Sequence, residues 1–101
     1  MKVGLKYLTS AEAVTKIKRC GYAEIKDSRT GQTSFVRRLG GYHYPRFHVY
    51  LKEDKSGQLF CTLHLDQKKP SYEGAAAHSG EYDGTLVEQE AERIRNSLVQ
   101  L

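Results

Sequence analysis

The residue types best suited to chemistry in this chain of 101 residues lie in two short runs, RFHVYL and FCTLHLD. The first run contributes Arg46 and His48, and the second contributes His64 and Asp66. An imidazole exchanges protons near neutral pH and also ligates transition metals, and a carboxylate either orients an imidazole or ligates a metal itself. If the two runs lie side by side, they indicate acid–base catalysis or metal binding.

Both runs have the alternation of apolar and polar residues that is typical of β-strands with one buried face. The apolar side chains of the two runs are all odd-numbered: Phe47, Val49, Leu51, Leu59, Cys61, Leu63 and Leu65. Two paired strands can bury these side chains on the same face only if the residue numbers of each pair add up to an even number. The polar, even-numbered side chains then share the opposite face.

A short loop around Gly57 selects one register among the even ones. Gly57 stands where a type I turn followed by a bulge requires a positive φ. The resulting register pairs His48 with His64. It also pairs Arg46 with Asp66. Because directly opposed side chains lie about 5 Å apart at Cβ, we expect two neighbouring imidazoles on the polar face, close enough to share a ligand or couple their titrations.

The first hypothesis for this histidine pair is RNA binding with metal-independent endoribonuclease activity. His48 and His64 would be the catalytic residues, one taking the proton of a ribose 2′-hydroxyl and the other protonating the leaving oxygen. Basic and aromatic side chains nearby would bind phosphates and stack on bases. The candidates for nucleic-acid binding are Arg37, Arg38, Tyr42, Tyr44, Arg46, Lys52, Lys68 and Lys69. This mechanism needs no cofactor.

Two alternatives remain open. In the first, His48, His64 and Asp66 bind a divalent metal ion or a small ligand. His78, in the long segment that follows the hairpin, would be a further metal ligand. In the second, the protein is a non-catalytic interaction module, and the histidines lie on an ordinary solvated sheet face. The spacing of these residues matches no established metal-binding signature, so it does not decide between the alternatives.

Composition limits the class of protein. The length suits a single domain, 1–101, with one hydrophobic core. The formal net charge of +4 and the pI of about 9.1 are compatible with a polyanionic partner such as RNA. Cys20 and Cys61 form no CxxC pair and indicate buried free thiols in a reducing compartment. No apolar run approaches the length of a membrane span, so we expect a cytoplasmic protein without a membrane partner.

Two helices are predicted from their start and stop signals. A capping box at Thr9 and Glu12 begins the first helix, and Gly21 ends it. A second capping box, at Thr85 and Glu88, begins the other helix. Each helix has one apolar stripe, so the two together can cover one face of a sheet.

Further strands are predicted before the hairpin. Residues 22–26 and 34–39 indicate a second pair of strands, and residues 3–7 indicate a short edge strand. The predicted fold is therefore an α+β two-layer sandwich with the order helix, three or four antiparallel strands, helix. In outline this arrangement is similar to that of double-stranded-RNA-binding domains.

Three stretches of the sequence resemble HicA-type toxins, which are mRNA interferases that pair with an antitoxin protein. TSAEAVTKIKRCGY resembles the opening helix of that family, RFHVYL resembles the strand with its catalytic histidine, and DGTLVEQEAERI resembles the start of its closing helix. The resemblance implies a fold like that of double-stranded-RNA-binding domains, endoribonuclease activity with His48 as a catalytic residue, RNA as the substrate and an antitoxin as a protein partner.

Overall fold

The structure is a computed structural model, and it describes residues 1–67, 80–81 and 84–99. Within these residues, two helices and six strands follow one another as β1 (Lys2–Gly4), α1 (Ser10–Arg19), β2 (Ala23–Lys26), β3 (Thr33–Arg38), β4 (Arg46–Glu53), β5 (Leu59–Asp66), β6 (Gly80–Glu81) and α2 (Thr85–Val99). In this part of the chain, no helix combines the length and the apolar character that crossing a membrane requires.

The six strands form one antiparallel sheet in the order β1-β5-β4-β3-β2. The short strand β6 pairs with the end of β5 that carries Asp66. Strand β1 pairs with β5 as the predicted short strand, but it spans Lys2–Gly4, so residues 5–7 of the predicted range lie outside it. Five of the strands, β2 to β6, lie between the two helices in the sequence, one more than predicted, because the short β6 was not expected. The two helices and the antiparallel sheet confirm the predicted α+β two-layer sandwich.

The hydrophobic core lies between the helices and the odd-numbered face of the hairpin strands. Val49, Cys61 and Leu63 are fully buried there, in one cluster with Ile17 of α1 and Ile94 of α2. The face predicted from the odd-numbered alternation is therefore correct. Burying apolar side chains of this size stabilises a fold by about 1.5–3 kcal/mol each, and this burial fixes which hairpin side chains point away from the helices.

The two cysteines lie on the core side of the molecule. Cys20 and Cys61 are buried free thiols, as the sequence predicted. Burial raises the pKa of the Cys61 thiol to about 12. Because the thiolate is the reactive form of cysteine, this side chain behaves as a small apolar core residue.

The β4–β5 hairpin has the predicted register. Gly57 has a φ of 86°, which the turn requires and which glycine adopts without strain. Hydrogen bonds close the loop, with the N–H of Asp54 donating to the carbonyl of Gln58 at 2.9 Å. This loop sets His48 directly opposite His64.

The start of α1 agrees with the sequence, whereas the start of α2 is shifted by one residue. The Thr9 hydroxyl accepts from the N–H of Glu12 at 3.1 Å, and the Glu12 carboxylate accepts from the N–H of Thr9 at 2.9 Å. In α2 the N–H of Glu88 donates to the carbonyl of Gly84 at 2.9 Å. Gly84 therefore occupies the cap position, and Thr85 is the first helical residue, so the predicted cap at Thr85 was wrong.

A group of polar side chains on the helix side of the sheet joins α1, α2 and β3; we call Tyr22, Arg37, Glu90 and Arg93 the helix-face cluster. Glu90 is buried and accepts from the Tyr22 hydroxyl at 2.5 Å and from Arg93 Nε at 2.8 Å. Arg93 also donates to the carbonyl of Cys20 at 2.7 Å. Arg37 Nη1 lies 3.6 Å from the Glu90 carboxylate.

Candidate functional site

His48 and His64 lie side by side on the even-numbered face of the sheet, the face opposite to the helices. Their ring centroids are 5.1 Å apart, and the ring planes are inclined by 42°. Strand β4 presents His48 and strand β5 presents His64, and the register fixed by the loop at Gly57 makes them neighbours. The predicted histidine pair is confirmed as a geometric feature.

Asp66 joins the two imidazoles through one carboxylate. Its Oδ2 accepts from His48 Nδ1 at 2.9 Å, and its Oδ1 lies 2.6 Å from His64 Nε2. Arg46, which pairs with Asp66 across the strands as predicted, donates from Nε to Oδ2 at 3.2 Å. We call His48, His64 and Asp66 the histidine–aspartate cluster.

The histidine–aspartate cluster is buried, which the sequence did not lead us to expect on a polar sheet face. The exposed fractions are 7% for His48, 8% for His64 and 4% for Asp66. Burial opposes ionisation of Asp66, but hydrogen bonds from His48 and His64 outweigh it and hold the pKa of the carboxyl well below its usual range. The cluster is therefore built around a carboxylate that stays ionised.

Ser34 forms a hydrogen bond with Nε2 of His48, and it was not among the predicted site residues. Its Oγ lies 2.8 Å from His48 Nε2, and the side chain is buried. Ser34 is on β3, and the neighbouring residue pair Val36–His48 shows that even-numbered residues of β3 share the polar face with His48. Alternation within the run SFVRRL could have grouped Ser34 with Val36 on one face, but it does not give the register that sets Ser34 beside His48.

Tyr50 packs against both imidazoles. Its ring stacks on His48 with centroids 4.4 Å apart, and on His64 with centroids 5.8 Å apart. Tyr50 follows His48 by one step on the same face of β4, so the stacking is a direct result of strand alternation. The contact restricts the imidazoles to few orientations, which is what a site with fixed ligand geometry requires.

Arg46 and a small cavity border the histidine–aspartate cluster. The Arg46 guanidinium lies over the ring of Tyr44, 4.7 Å from its centroid. A cavity of about 170 Å³ lies beside His48. It is lined by Ile25, Lys26, Asp27, Gln32, Ser34, Arg46, His48 and Tyr50.

The other predicted site residues within the described part of the chain lie in several parts of the fold. Arg38 and Tyr42 are exposed around the β3–β4 loop, where Arg38 Nη2 is 3.0 Å from His43 Nδ1. Lys52 is exposed near the end of β4. Arg37 lies on the opposite face, in the helix-face cluster.

Three further predicted residues, Lys68, Lys69 and His78, lie outside the described residues. The structure therefore places Arg46 against Asp66 of the histidine–aspartate cluster, with Tyr44 packed on Arg46, and it puts Arg37 on the other face of the sheet.

The histidine–aspartate cluster has the donor atoms of a metal site. One ligand atom from each of its three residues lies within 4.8 Å of the others. The chain Ser34–His48–Asp66 also has the atom order of a hydroxyl–imidazole–carboxylate relay, in which an imidazole removes the hydroxyl proton. These are the two kinds of chemistry that the arrangement permits.

No family model, curated protein or solved structure matches this chain.

Proposed function

We propose that the histidine–aspartate cluster binds a divalent transition-metal ion. The observation that supports this most strongly is the convergence of two imidazole nitrogens on one buried carboxylate, with all three ligand atoms within 4.8 Å. Ligand atoms around one such ion are separated by about 3 Å, because each lies about 2 Å from the metal. The separations of 2.6 Å and 2.9 Å between Asp66 and the two histidines are close to this value.

The donor set favours zinc and its neighbours among the metals. Imidazole nitrogen suits Zn, Cu, Fe and Ni, whereas Mg²⁺ and Ca²⁺ prefer sites made of oxygen ligands. Three protein ligands are also the number found in catalytic zinc sites, in which the fourth position takes water or substrate. A water bound there would be acidified enough to attack an ester at neutral pH, so the reaction class is metal-assisted hydrolysis.

The surroundings of the ligands also fit a metal. A ligating histidine typically donates its second N–H to a polar partner, and the Ser34 hydroxyl is in place for this at His48 Nε2. A ligating carboxylate is typically hydrogen bonded as well, and Arg46 donates to Asp66. These partners fix the orientation of the ligands before a metal arrives.

Metal binding accounts for this geometry better than the alternatives. In metal-independent RNA cleavage the imidazoles must reach the ribose of a large substrate, but both His48 and His64 are buried. A relay that activates Ser34 requires only the imidazole of His48, so it gives His64 no role. It also needs donors for an oxyanion, and the amides of an interior strand such as β3 bond to neighbouring strands.

The test is Zn²⁺ titration of the purified protein by calorimetry, with Co²⁺ absorption as a second readout. We expect one ion per chain. His48→Gln and His64→Gln should each weaken binding by about 100-fold or more, exceeding what loss of an outer partner causes. His43→Gln is the matched control, because His43 is exposed and bonds to Arg38 instead. Equal affinity in all three variants would overturn the proposal.

RNA binding is the second candidate, and an exposed aromatic loop favours it. The Tyr42 side chain is 83% exposed, and Arg38 and His43 bond to each other beside it. Arg46 on Tyr44 continues this surface toward the histidine–aspartate cluster. Exposed rings interleaved with cations bind single-stranded nucleic acid by stacking and charge. The HicA resemblance makes RNA the proposed partner, together with an antitoxin and a fold like that of double-stranded-RNA-binding domains.

Fluorescence anisotropy with a labelled single-stranded RNA tests this second candidate. Tyr42→Ala should weaken binding by about 1–3 kcal/mol, the usual value of one stacked base. Tyr7→Ala is the control, since Tyr7 is a fully exposed ring outside this loop. If the RNA is cleaved, a chelator separates the mechanisms, because it stops metal-assisted cleavage and leaves metal-independent cleavage by His48 and His64 intact.

A further inference from the structure

Arg46 is held in place but has hydrogen-bonding capacity left over. Its Nε donates to Asp66 Oδ2 at 3.2 Å, and its guanidinium plane rests on the Tyr44 ring. Among the described residues, the side-chain hydrogen bonds of Arg46 involve Nε alone. The bond to Asp66 and the stacking on Tyr44 therefore fix the direction of the two terminal nitrogens of the guanidinium. The side chain is 17% exposed and lines the cavity beside His48.

We propose that Arg46 binds an oxyanion group, phosphate or carboxylate, of the ligand that this centre acts on. The oxyanion would occupy the cavity of about 170 Å³ that Arg46 shares with His48 and Ser34. This inference rests on the metal centre proposed above, because it assigns the group that binds next to the metal.

The charge balance of the centre supports an anionic ligand. A divalent ion held by two neutral imidazoles and one carboxylate keeps a net positive charge, and Arg46 adds another beside it. The acidic residue on the cavity wall, Asp27, accepts instead from the N–H groups of Arg29 and Thr30 in its own loop. Its Oδ1 also lies 3.9 Å from Arg29 Nε. Because Asp27 has these partners, its negative charge is partly balanced and opposes an anion in the cavity less.

The side-chain type also supports an oxyanion. A guanidinium presents its N–H groups in a planar fork that matches two oxygens of a phosphate or carboxylate, whereas the ammonium of lysine is a point charge. Stacking on Tyr44 and the bond to Asp66 fix the plane of the fork in advance. A group oriented in this way loses less conformational freedom when its ligand binds.

The experiment measures binding of inorganic phosphate and of acetate to the Zn²⁺-loaded and metal-free protein, by thermal shift and calorimetry. Arg46→Lys should weaken binding of the preferred anion about tenfold or more, because one charge-assisted hydrogen bond is lost. Because Arg46 also orients Asp66, Zn²⁺ affinity is measured for each variant, and the anions are titrated at a Zn²⁺ concentration that saturates that variant. Arg38→Gln is the matched control, since Arg38 pairs with Arg46 across the strands but bonds to His43.

The outcomes separate this inference from the metal proposal. Weaker anion binding in Arg46→Lys at saturating Zn²⁺, with no such change in Arg38→Gln, supports it, and the anion that responds identifies the ligand class. Anion binding that is equal in the wild type, Arg46→Lys and Arg38→Gln overturns it, as does the absence of any effect of either anion. If Zn²⁺ fails to bind but phosphate still stabilises the protein through Arg46, the metal proposal falls and the oxyanion site stands.

Discussion

The sheet has a buried carboxylate on each face, and the two differ in the partners that hold them. Asp66 on the polar face accepts from two imidazoles, whereas Glu90 on the helix face accepts from Arg93 and Tyr22. Burial opposes ionisation of Glu90, but its hydrogen bonds from Arg93 and Tyr22 outweigh it and lower the pKa, as the histidines do for Asp66. Both groups are therefore carboxylates that the protein keeps charged.

The partners decide what each carboxylate can do. Arg93 keeps its proton under all ordinary conditions, and burial together with the bond to Glu90 raises the pKa of Tyr22 well above its usual value. Neither partner exchanges its proton near neutral pH, and neither presents the nitrogen lone pair that makes imidazole a good metal ligand, so the helix-face cluster is a structural connection between α1, α2 and β3. The imidazoles around Asp66 have both capacities. Burial of an acid alone does not identify a functional site.

The largest expected effect is on stability, from Glu90→Ala. Removing this carboxylate leaves Tyr22 and Arg93 without their main partner, so we expect a loss of about 3 kcal/mol in the free energy of unfolding. Urea denaturation followed by circular dichroism measures it. Glu88→Ala, an exposed acid of the same helix, is the control and should change stability by less than about 0.5 kcal/mol.

Measuring the Zn²⁺ affinity of Glu90→Ala tests whether the two carboxylates act independently. If the helix-face cluster is structural only, Glu90→Ala retains the Zn²⁺ affinity of the wild type at temperatures where it is folded. A marked change in Zn²⁺ affinity would show that the two faces of the sheet are coupled, and the division of roles between the two carboxylates would be incorrect.

In contrast to Glu90→Ala, Ser34→Ala should lower the affinity for Zn²⁺ rather than the stability of the helix-face cluster. Without the hydroxyl, His48 Nε2 loses its partner, and Zn²⁺ affinity should fall by about 10–100-fold. Ser34→Thr keeps a hydroxyl and should restore most of the affinity. Calorimetry on the three proteins provides the comparison. If Ala and Thr at this position bind Zn²⁺ equally well, the role of Ser34 is packing alone.

Tyr22→Phe removes a single hydroxyl from the helix-face cluster. The phenol donates to Glu90 Oε2, so its loss should cost about 1 kcal/mol of stability. Urea denaturation measures this loss, and the double variant with Glu90→Ala shows whether it depends on the carboxylate. In the Glu90→Ala background the additional loss should be close to zero, because the hydroxyl has already lost its acceptor. Losses that simply add would contradict the assigned contact.

The smallest effect is a slope of stability with pH in the acid range. Because the folded pKa of Glu90 is lowered from 4.5, its contribution is fully present above that value and is lost as pH falls toward the lowered pKa. The free energy of unfolding should therefore decrease between about pH 5 and about pH 3. Glu90→Gln should flatten this slope, and an unchanged slope would assign the effect to other groups.

Sequence reasoning was most successful where a short turn connects two strands. Alternation decided which face of β4 and β5 is buried, and Gly57 then left one register, so the approach of His48 and His64 could be predicted. The pairing of Arg46 with Asp66 followed from the same register. Local geometry was sufficient for these contacts because few residues separate the strands.

The contacts with β3 were missed because a longer loop precedes β4. The segment with Gly40 and Gly41 does not select a register, so the position of Ser34 beside His48 could not be derived. For the same reason Arg37 was grouped with the nucleic-acid residues, although it pairs with Phe47 and lies on the helix face. Burial of the histidine pair depends on these missed neighbours and on Tyr50.

The hydroxyl of Ser34 can form a hydrogen bond with His48 Nε2 both with and without a metal at the centre. When the His48 ring is neutral and donates from Nδ1 to Asp66, its Nε2 lacks a proton, and the serine must donate to it. If Nδ1 were to ligate a metal, the neutral ring would carry its proton on Nε2, and the serine would have to accept from it. A rotating O–H group satisfies both tautomers without any movement of the backbone, so at this position the two forms would differ only in the site of the imidazole proton and the direction of the serine O–H group.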